Sequence, residues 1–153
     1  MNTNVNIKLI KRRDLYRGII TADEIIKAYQ DAFGIQWWHK YVGLADFQLA
    51  DETYFEANRE EIKKVLEQDQ IDKEIYKAEE FDCDNYSFAL MGSFHHNRET
   101  APMPIFITWV LTREGGHALL SFYEAGKVFL IEPQTDEIIP GVPADWALIL
   151  LCG

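Results

Sequence analysis

The chain has 153 residues, 48% of them hydrophobic, with 25 acidic against 15 basic side chains and a net charge of −10. That length suggests one domain, 1–153, able to bury a core without staples, and the composition excludes a disordered chain. The acidic balance argues against a nucleic-acid backbone or an anionic membrane as partner.

In chain order, Met1–Asn6 is polar, and Ile7–Ile10 alternates weakly, as a short strand would. Lys11-Arg12-Arg13 follows at once, so no signal-peptide h-region forms. No apolar run approaches the roughly 20 residues of a membrane span. Cysteines are only two, Cys83 and Cys152, too few for a disulfide framework and consistent with a reducing compartment. The expected location is therefore cytoplasmic.

Thr21-Ala22-Asp23-Glu24 fits a capping box, with a Thr N-cap and Glu at N3. The helix it opens carries Ile25, Ile26, Tyr29 and Phe33 on one side, and Gly34 suits its stop. The aromatic segment Ile35–Tyr41 follows. Trp37 and Trp38 cannot both face a helix core, so one packs and the other lines a groove or covers a neighbour. Asn58-Arg59-Glu60-Glu61 is a second capping box, opening a helix that bears Ile62, Val65 and Leu66. Asp69–Lys77 is polar, with Ile71 and Ile75 as anchors. The first part, 1–78, thus reads as mostly helical.

Next comes a loop turning into a helix, Glu79–Leu90, with Asp82 as N-cap and Cys83 on the first turn. At about 100° per residue, Leu90 and Phe94 return beneath Cys83, with Tyr86 beside them. A thiol there meets unpaired N–H groups and the positive end of the helix dipole, which favour thiolate. Glu79, Glu80, Asp82 and Asp84 oppose this by raising the thiol pKa, so Cys83 needs a cationic partner.

Past Phe94, His95–Pro104 reads as a loop. Ile105–Leu111, Ala118–Tyr123, Val128–Ile131 and Trp146–Leu151 are β-branched and aromatic runs bounded by Gly or Pro, which predicts four strands. Glu124–Lys127 is a hairpin tip. Helices first and strands second indicate α+β, with the helix bearing the cysteine packed on an antiparallel sheet over 79–153.

His117 opens the second of these strands. Pairing Tyr123 with Val128 puts His117 opposite Gln134 and Leu119 opposite Glu132. Alternation then turns His117, Gln134 and Glu132 to one face, with Glu132 on the diagonal. A carboxylate or amide there would orient the imidazole and stabilise its cation. An odd loop would bring Pro133 and Ile131 to that face instead. Other ligand sets are weaker. His95-His96 sits in a Pro-rich loop, and the spacing of Glu79, Glu80, Asp82 and Asp84 matches no EF-hand loop. No metal and no cofactor are expected.

Phe81-Asp82-Cys83-Asp84-Asn85-Tyr86, then Gly116-His117-Ala118, then Glu132-Pro133-Gln134, resembles the pattern of papain-like and transglutaminase-like cysteine hydrolases. It looks in particular like the papain-like C-terminal domain of a mushroom agglutinin, and similar words occur in small bacterial and phage proteins. The resemblance covers Glu79 to about Trp146. It implies a papain-like core, with Cys83 as nucleophile, His117 as general base and then acid, and Glu132, or alternatively Gln134, as the orienting third member. It also hints at metal dependence. The glutamine that such enzymes place before the cysteine is missing, since Ile75–Ala78 holds none, and Gln36 is a stand-in.

These readings imply a cysteine peptidase or amidase, hydrolytic or transamidating, acting on a peptide or amide through an acyl-thioester. Trp37, Trp38 and Trp109 would wall its groove. The rival is a non-catalytic binding or assembly protein on the same scaffold, for example a phage accessory protein. A peptidoglycan amidase of related fold is a third option.

Overall fold

A computed structural model describes residues 18–34, 39 and 43–153. The expected strand Ile7–Ile10 and the expectations on Gln36, Trp37 and Trp38 lie outside the described residues.

Helix α1 (Ala22–Phe33) starts where the sequence places it. Thr21 Oγ1 accepts the Glu24 N–H at 3.3 Å, and Glu24 Oε2 accepts the Thr21 N–H at 2.8 Å. The Thr21 and Glu24 N–H groups thereby each gain a partner. Helix α2 (Arg59–Gln68) is capped by Asn58, whose Oδ1 accepts the N–H groups of Glu60 at 3.0 Å and Glu61 at 3.3 Å. The Glu61 carboxylate lies 2.9 Å from Lys64 Nζ. A 3₁₀ turn, Ile71–Lys73, follows. Ile71 packs on the core, but Ile75 is 85% exposed and anchors nothing.

Helix α3 (Cys83–His96) buries Tyr86, Leu90 and Phe94 as the helical spacing requires. It extends through His95 and His96, which the sequence assigns to a loop. Cationic or polar donors in a last helical turn suit its exposed carbonyls. Asp82 is the N-cap, and its N–H donates to Asn85 Oδ1 at 3.2 Å.

Eight strands surround these helices among the described residues: β1 (Ile19–Thr21), β2 (Asp46–Gln48), β3 (Thr53–Phe55), β4 (Ile105–Thr112), β5 (Gly115–Glu124), β6 (Lys127–Glu132), β7 (Glu137–Pro140) and β8 (Ala147–Cys152). β1 and β3 form a small antiparallel ribbon beside the helices of the first part. The other six make one sheet in the order β2-β8-β4-β5-β6-β7. It is antiparallel except at its edge, where β2 runs parallel to β8. The class is therefore mixed α+β.

Alternation along the central strands divides the core. Ile105, Ile107, Leu120, Phe122, Phe129 and Ile131 face α2 and α3, meeting Ile62, Leu66, Leu90 and Phe94. Phe106, Val110, Leu119, Val128, Leu130 and Leu148 face α1, meeting Ile25, Tyr29 and Phe33. Helices thus cover both faces of the sheet, which explains the near-continuous burial along β4 to β6.

The β5–β6 hairpin pairs Tyr123 with Val128 and Glu124 with Lys127. Its two-residue tip, Ala125-Gly126, has φ of 49° and 80°, as a tight hairpin turn with right-handed strand twist demands. Alanine is strained there, whereas asparagine visits this region readily. Ala125→Asn is expected to stabilise the protein by about 0.5–1 kcal/mol, read as a higher urea midpoint at unchanged slope. A lower midpoint would contradict the turn geometry.

Candidate functional site

The predicted register places the histidine. Leu120 pairs with Ile131, and the pairing continues regularly to the hairpin tip. His117 and Glu132 then lie on one face, and their side chains meet: His117 Nε2 to Glu132 Oε2 is 2.8 Å. Their side chains are 23% and 19% exposed, so the pair is sheltered yet reachable. The Gln134 backbone N–H donates to Glu132 Oε1 at 3.3 Å. Glu132 is therefore the residue on the imidazole, and Gln134 holds Glu132 from behind. Engaging Nε2 fixes the ring plane and leaves Nδ1 directed elsewhere.

The rest of the hollow comes from chain segments the sequence reading did not connect. Trp146, immediately before β8, stands edge-on to the His117 ring at 6.1 Å between centroids and 80° between planes. Arg113 Nε lies 3.0 Å from Asp145 Oδ2. Together with Glu114 and the Gly115-Gly116 backbone they line an open hollow of about 600 Å³. The turn carrying Arg113 and Glu114 is held by Thr112, whose Oγ1 donates to the Gly115 carbonyl at 3.0 Å and accepts the Glu114 N–H at 3.1 Å. A turn signal at Gly115-Gly116 is visible locally. That residues 145–146 lie beside it depends on β8 pairing with β4, a contact no local pattern encodes.

Cys83 is not in this hollow. Its helix packs on the face of Leu120 and Phe122, whereas His117 shares the face of Leu119. His117 is paired across the sheet with Val110, which belongs to the α1-facing cluster. The thiol is partly buried and free, and among the described residues no hydrogen bond joins it to His117. Its surroundings are acidic. Asp82 and Asp84 hydrogen-bond side chain to side chain, which lowers Asp82 and raises Asp84. The thiol's carbonyl neighbour on the chain, the Cys83 C=O, accepts Ser87 Oγ at 2.8 Å.

Trp109 also stands apart from the hollow. It contacts Phe88, with ring centroids 6.5 Å apart, on the α3 face. Its indole donates to Cys152, whose thiol is pushed up by burial and partly pulled back by that bond. A larger hollow of about 810 Å³ lies between α1 and the β6–β7 region. Its α1 rim carries Lys27 and Asp31, already paired at 2.6 Å, and converges no buried polar groups.

The arrangement thus joins a fixed imidazole–carboxylate pair, an aromatic edge and an ion pair on one sheet end. No protein-family model matches the chain, and no curated protein matches it. Its fold is similar to that of solved lectin structures. A PSL1a-E64 complex aligns with a TM-score of 0.71 at 16% identity, over 88% of this chain and 51% of that one. Polyporus squamosus lectin bound to the human-type influenza-binding epitope Neu5Aca2-6Galb1-4GlcNAc aligns with a TM-score of 0.66 at 16% identity, over 88% of this chain and 49% of that one. The chain spans about half the length of these structures, and at this identity the likeness is one of fold.

These findings correct the expectation of a papain-like or transglutaminase-like cysteine hydrolase. The fold neighbours are lectins, and the one whose ligand is a glycan binds a carbohydrate epitope, not a peptide or amide. The thiol-protease and catalytic-triad readings fall with it. Their physical weakness is the sheet itself: short words around Cys83 and His117 carry no information on which face of the sheet each side chain meets.

Proposed function

We propose that the chain is a non-catalytic binding protein on a lectin-like α+β scaffold, and that its described residues form one folding unit. The hollow at His117 is its ligand site, and the ligand is a saccharide. The observation that carries this reading is the His117–Glu132 bond of 2.8 Å beside the Trp146 edge. Sugars present hydroxyls that both donate and accept, together with apolar C–H faces. A site for them wants planar polar groups in fixed orientation next to an aromatic surface. Glu132 and Asp145 accept, Arg113 donates, the imidazole does either, and Trp146 supplies the apolar wall. The lectin fold of the neighbours adds support. The glycan contacts of the epitope-bound lectin are not transferred residue by residue, because about half of that chain lies outside the match.

The test is calorimetric titration with Neu5Aca2-6Galb1-4GlcNAc and with a panel of neutral oligosaccharides. Saturable binding is expected with at least one of them. Trp146→Ala and His117→Ala should each weaken it tenfold or more, consistent with loss of about 1.4 kcal/mol or more. Cys83→Ser should leave it unchanged. Absence of binding across the panel, or binding indifferent to both hollow variants, defeats the proposal.

A further inference from the structure

The residues that line the hollow at His117 are lopsided in charge. Glu114, Glu132 and Asp145 bring three carboxylates against the one guanidinium of Arg113. The chain as a whole carries a net charge of −10, so the wider field of the protein reinforces this imbalance. Across a hollow of about 600 Å³, wall and ligand charges lie within roughly a Debye length, about 8 Å at physiological salt, so a bound ligand feels them.

The donors around the hollow are already engaged. A ligand carboxylate is held by N–H or O–H groups, and by cations above all. Arg113 Nε lies on Asp145 Oδ2 at 3.0 Å. The Glu114 N–H donates to Thr112 Oγ1 at 3.1 Å, and the Thr112 hydroxyl donates in turn to the Gly115 carbonyl at 3.0 Å. His117 Nε2 lies on Glu132 Oε2 at 2.8 Å. A carboxylate entering here has to displace one of these acceptors, and it meets like charges on the same wall, which opposes binding. An ammonium group needs acceptors instead, and carboxylate oxygens are what the wall offers. Its bonds to them are charge-assisted and strong. Glu114 is exposed at the rim, open to such a group from solvent.

We infer that the hollow selects saccharides by charge: it takes neutral sugars, holds sugars with a free amine more tightly, and turns away sialylated ones. This rests on the saccharide reading of the hollow and adds the class of saccharide to it. Trp146 and the oriented imidazole make the place, and the acids decide which charge it admits. The preference is the reverse of what Neu5Aca2-6Galb1-4GlcNAc, the epitope on the neighbouring lectin, would need, because its sialic acid is an anion. Selection here is by repulsion of the wrong ligand as much as by attraction of the right one.

The experiment is calorimetric titration of the full chain with three forms of one disaccharide: Galb1-4GlcNAc, its deacetylated form Galb1-4GlcN, and the sialylated Neu5Aca2-6Galb1-4GlcNAc. At roughly 20 mM salt the amine-bearing form is expected to bind about fivefold or more tighter than the sialylated one, with the neutral form between them. At roughly 0.5 M salt that spread should narrow to about twofold, because the charges are screened. Glu114→Gln should shrink the spread at low salt, and Glu114→Lys should shrink it further, by about threefold or more in all. Glu67→Gln, at an exposed acid of α2 outside the hollow, should leave it as it is. Sialylated sugar bound as tightly as the amine-bearing form overturns the inference and leaves the saccharide reading standing. So does a spread that neither salt nor either Glu114 variant moves. Silence of all three forms overturns the inference, and silence of the neutral panel as well overturns the reading beneath it.

Discussion

Phe106→Ala is expected to cost about 3–5 kcal/mol, the range for removing a buried aromatic ring whose site cannot fully collapse. In a domain of this size that lowers Tm by about 10–15 °C. Phe106 has no exposed surface and is the second residue of β4. Its ring meets Tyr29 of α1 edge-on at 6.0 Å and Tyr54 of β3 edge-on at 5.4 Å. It therefore joins the main sheet to the helix above and to the small ribbon beside it. Neither tyrosine can move into the gap freely. Tyr29 Oη is bonded to Ser121 Oγ at 2.6 Å, and Tyr54 Oη donates to the Gly153 carbonyl at 3.3 Å. Urea denaturation of the variant beside Phe106→Leu separates ring loss from mere volume loss, since the leucine variant should retain more than half of the stability difference. A cost below about 1 kcal/mol for alanine would mean that the ribbon and α1 are not anchored through this ring.

What the sequence made legible was whatever local chemistry decides. Thr21 and Asn58 announce helix starts because a cap needs only three residues. The Tyr123–Val128 register follows from the length of one tight turn, and with it the meeting of His117 and Glu132. Tyr86, Leu90 and Phe94 share a helix face by period alone. The misses have the opposite origin. β1, β2 and β3 each have three residues, too few for any alternation to register, and they exist only because partners remote in the chain supply hydrogen bonds. β2 lies against β8, at the other end of the chain. Trp146 joins His117 for the same reason. Most consequential was the choice of sheet face. Alternation along β5 says that His117 and Leu119 point one way and Leu120 the other. It does not say that α3, with Cys83, covers the Leu120 side. Family-like words at Cys83 and His117 therefore say nothing of the side of the sheet on which each lies, and Ile75, read as an anchor, stays in solvent.

The separation of the two faces has its own energetic signature. Leu90 of α3 and Leu130 of β6 are both fully buried, but in different clusters on opposite sides of the sheet. Leu90→Ala and Leu130→Ala should each cost about 2–5 kcal/mol. Because they share no side-chain partner, the double variant should equal their sum within about 0.5 kcal/mol. That sum approaches the whole stability of an ordinary domain, about 5–15 kcal/mol, so the double variant is expected to unfold at low urea and near room temperature. Equilibrium denaturation of all four proteins at 10 °C reads the cycle directly. A coupling above roughly 1 kcal/mol would mean that the two faces relax as one core. The sheet would then not be a rigid partition between the α3 side and the α1 side. Additivity would instead show that each face of this sheet can change its contents without the other registering it.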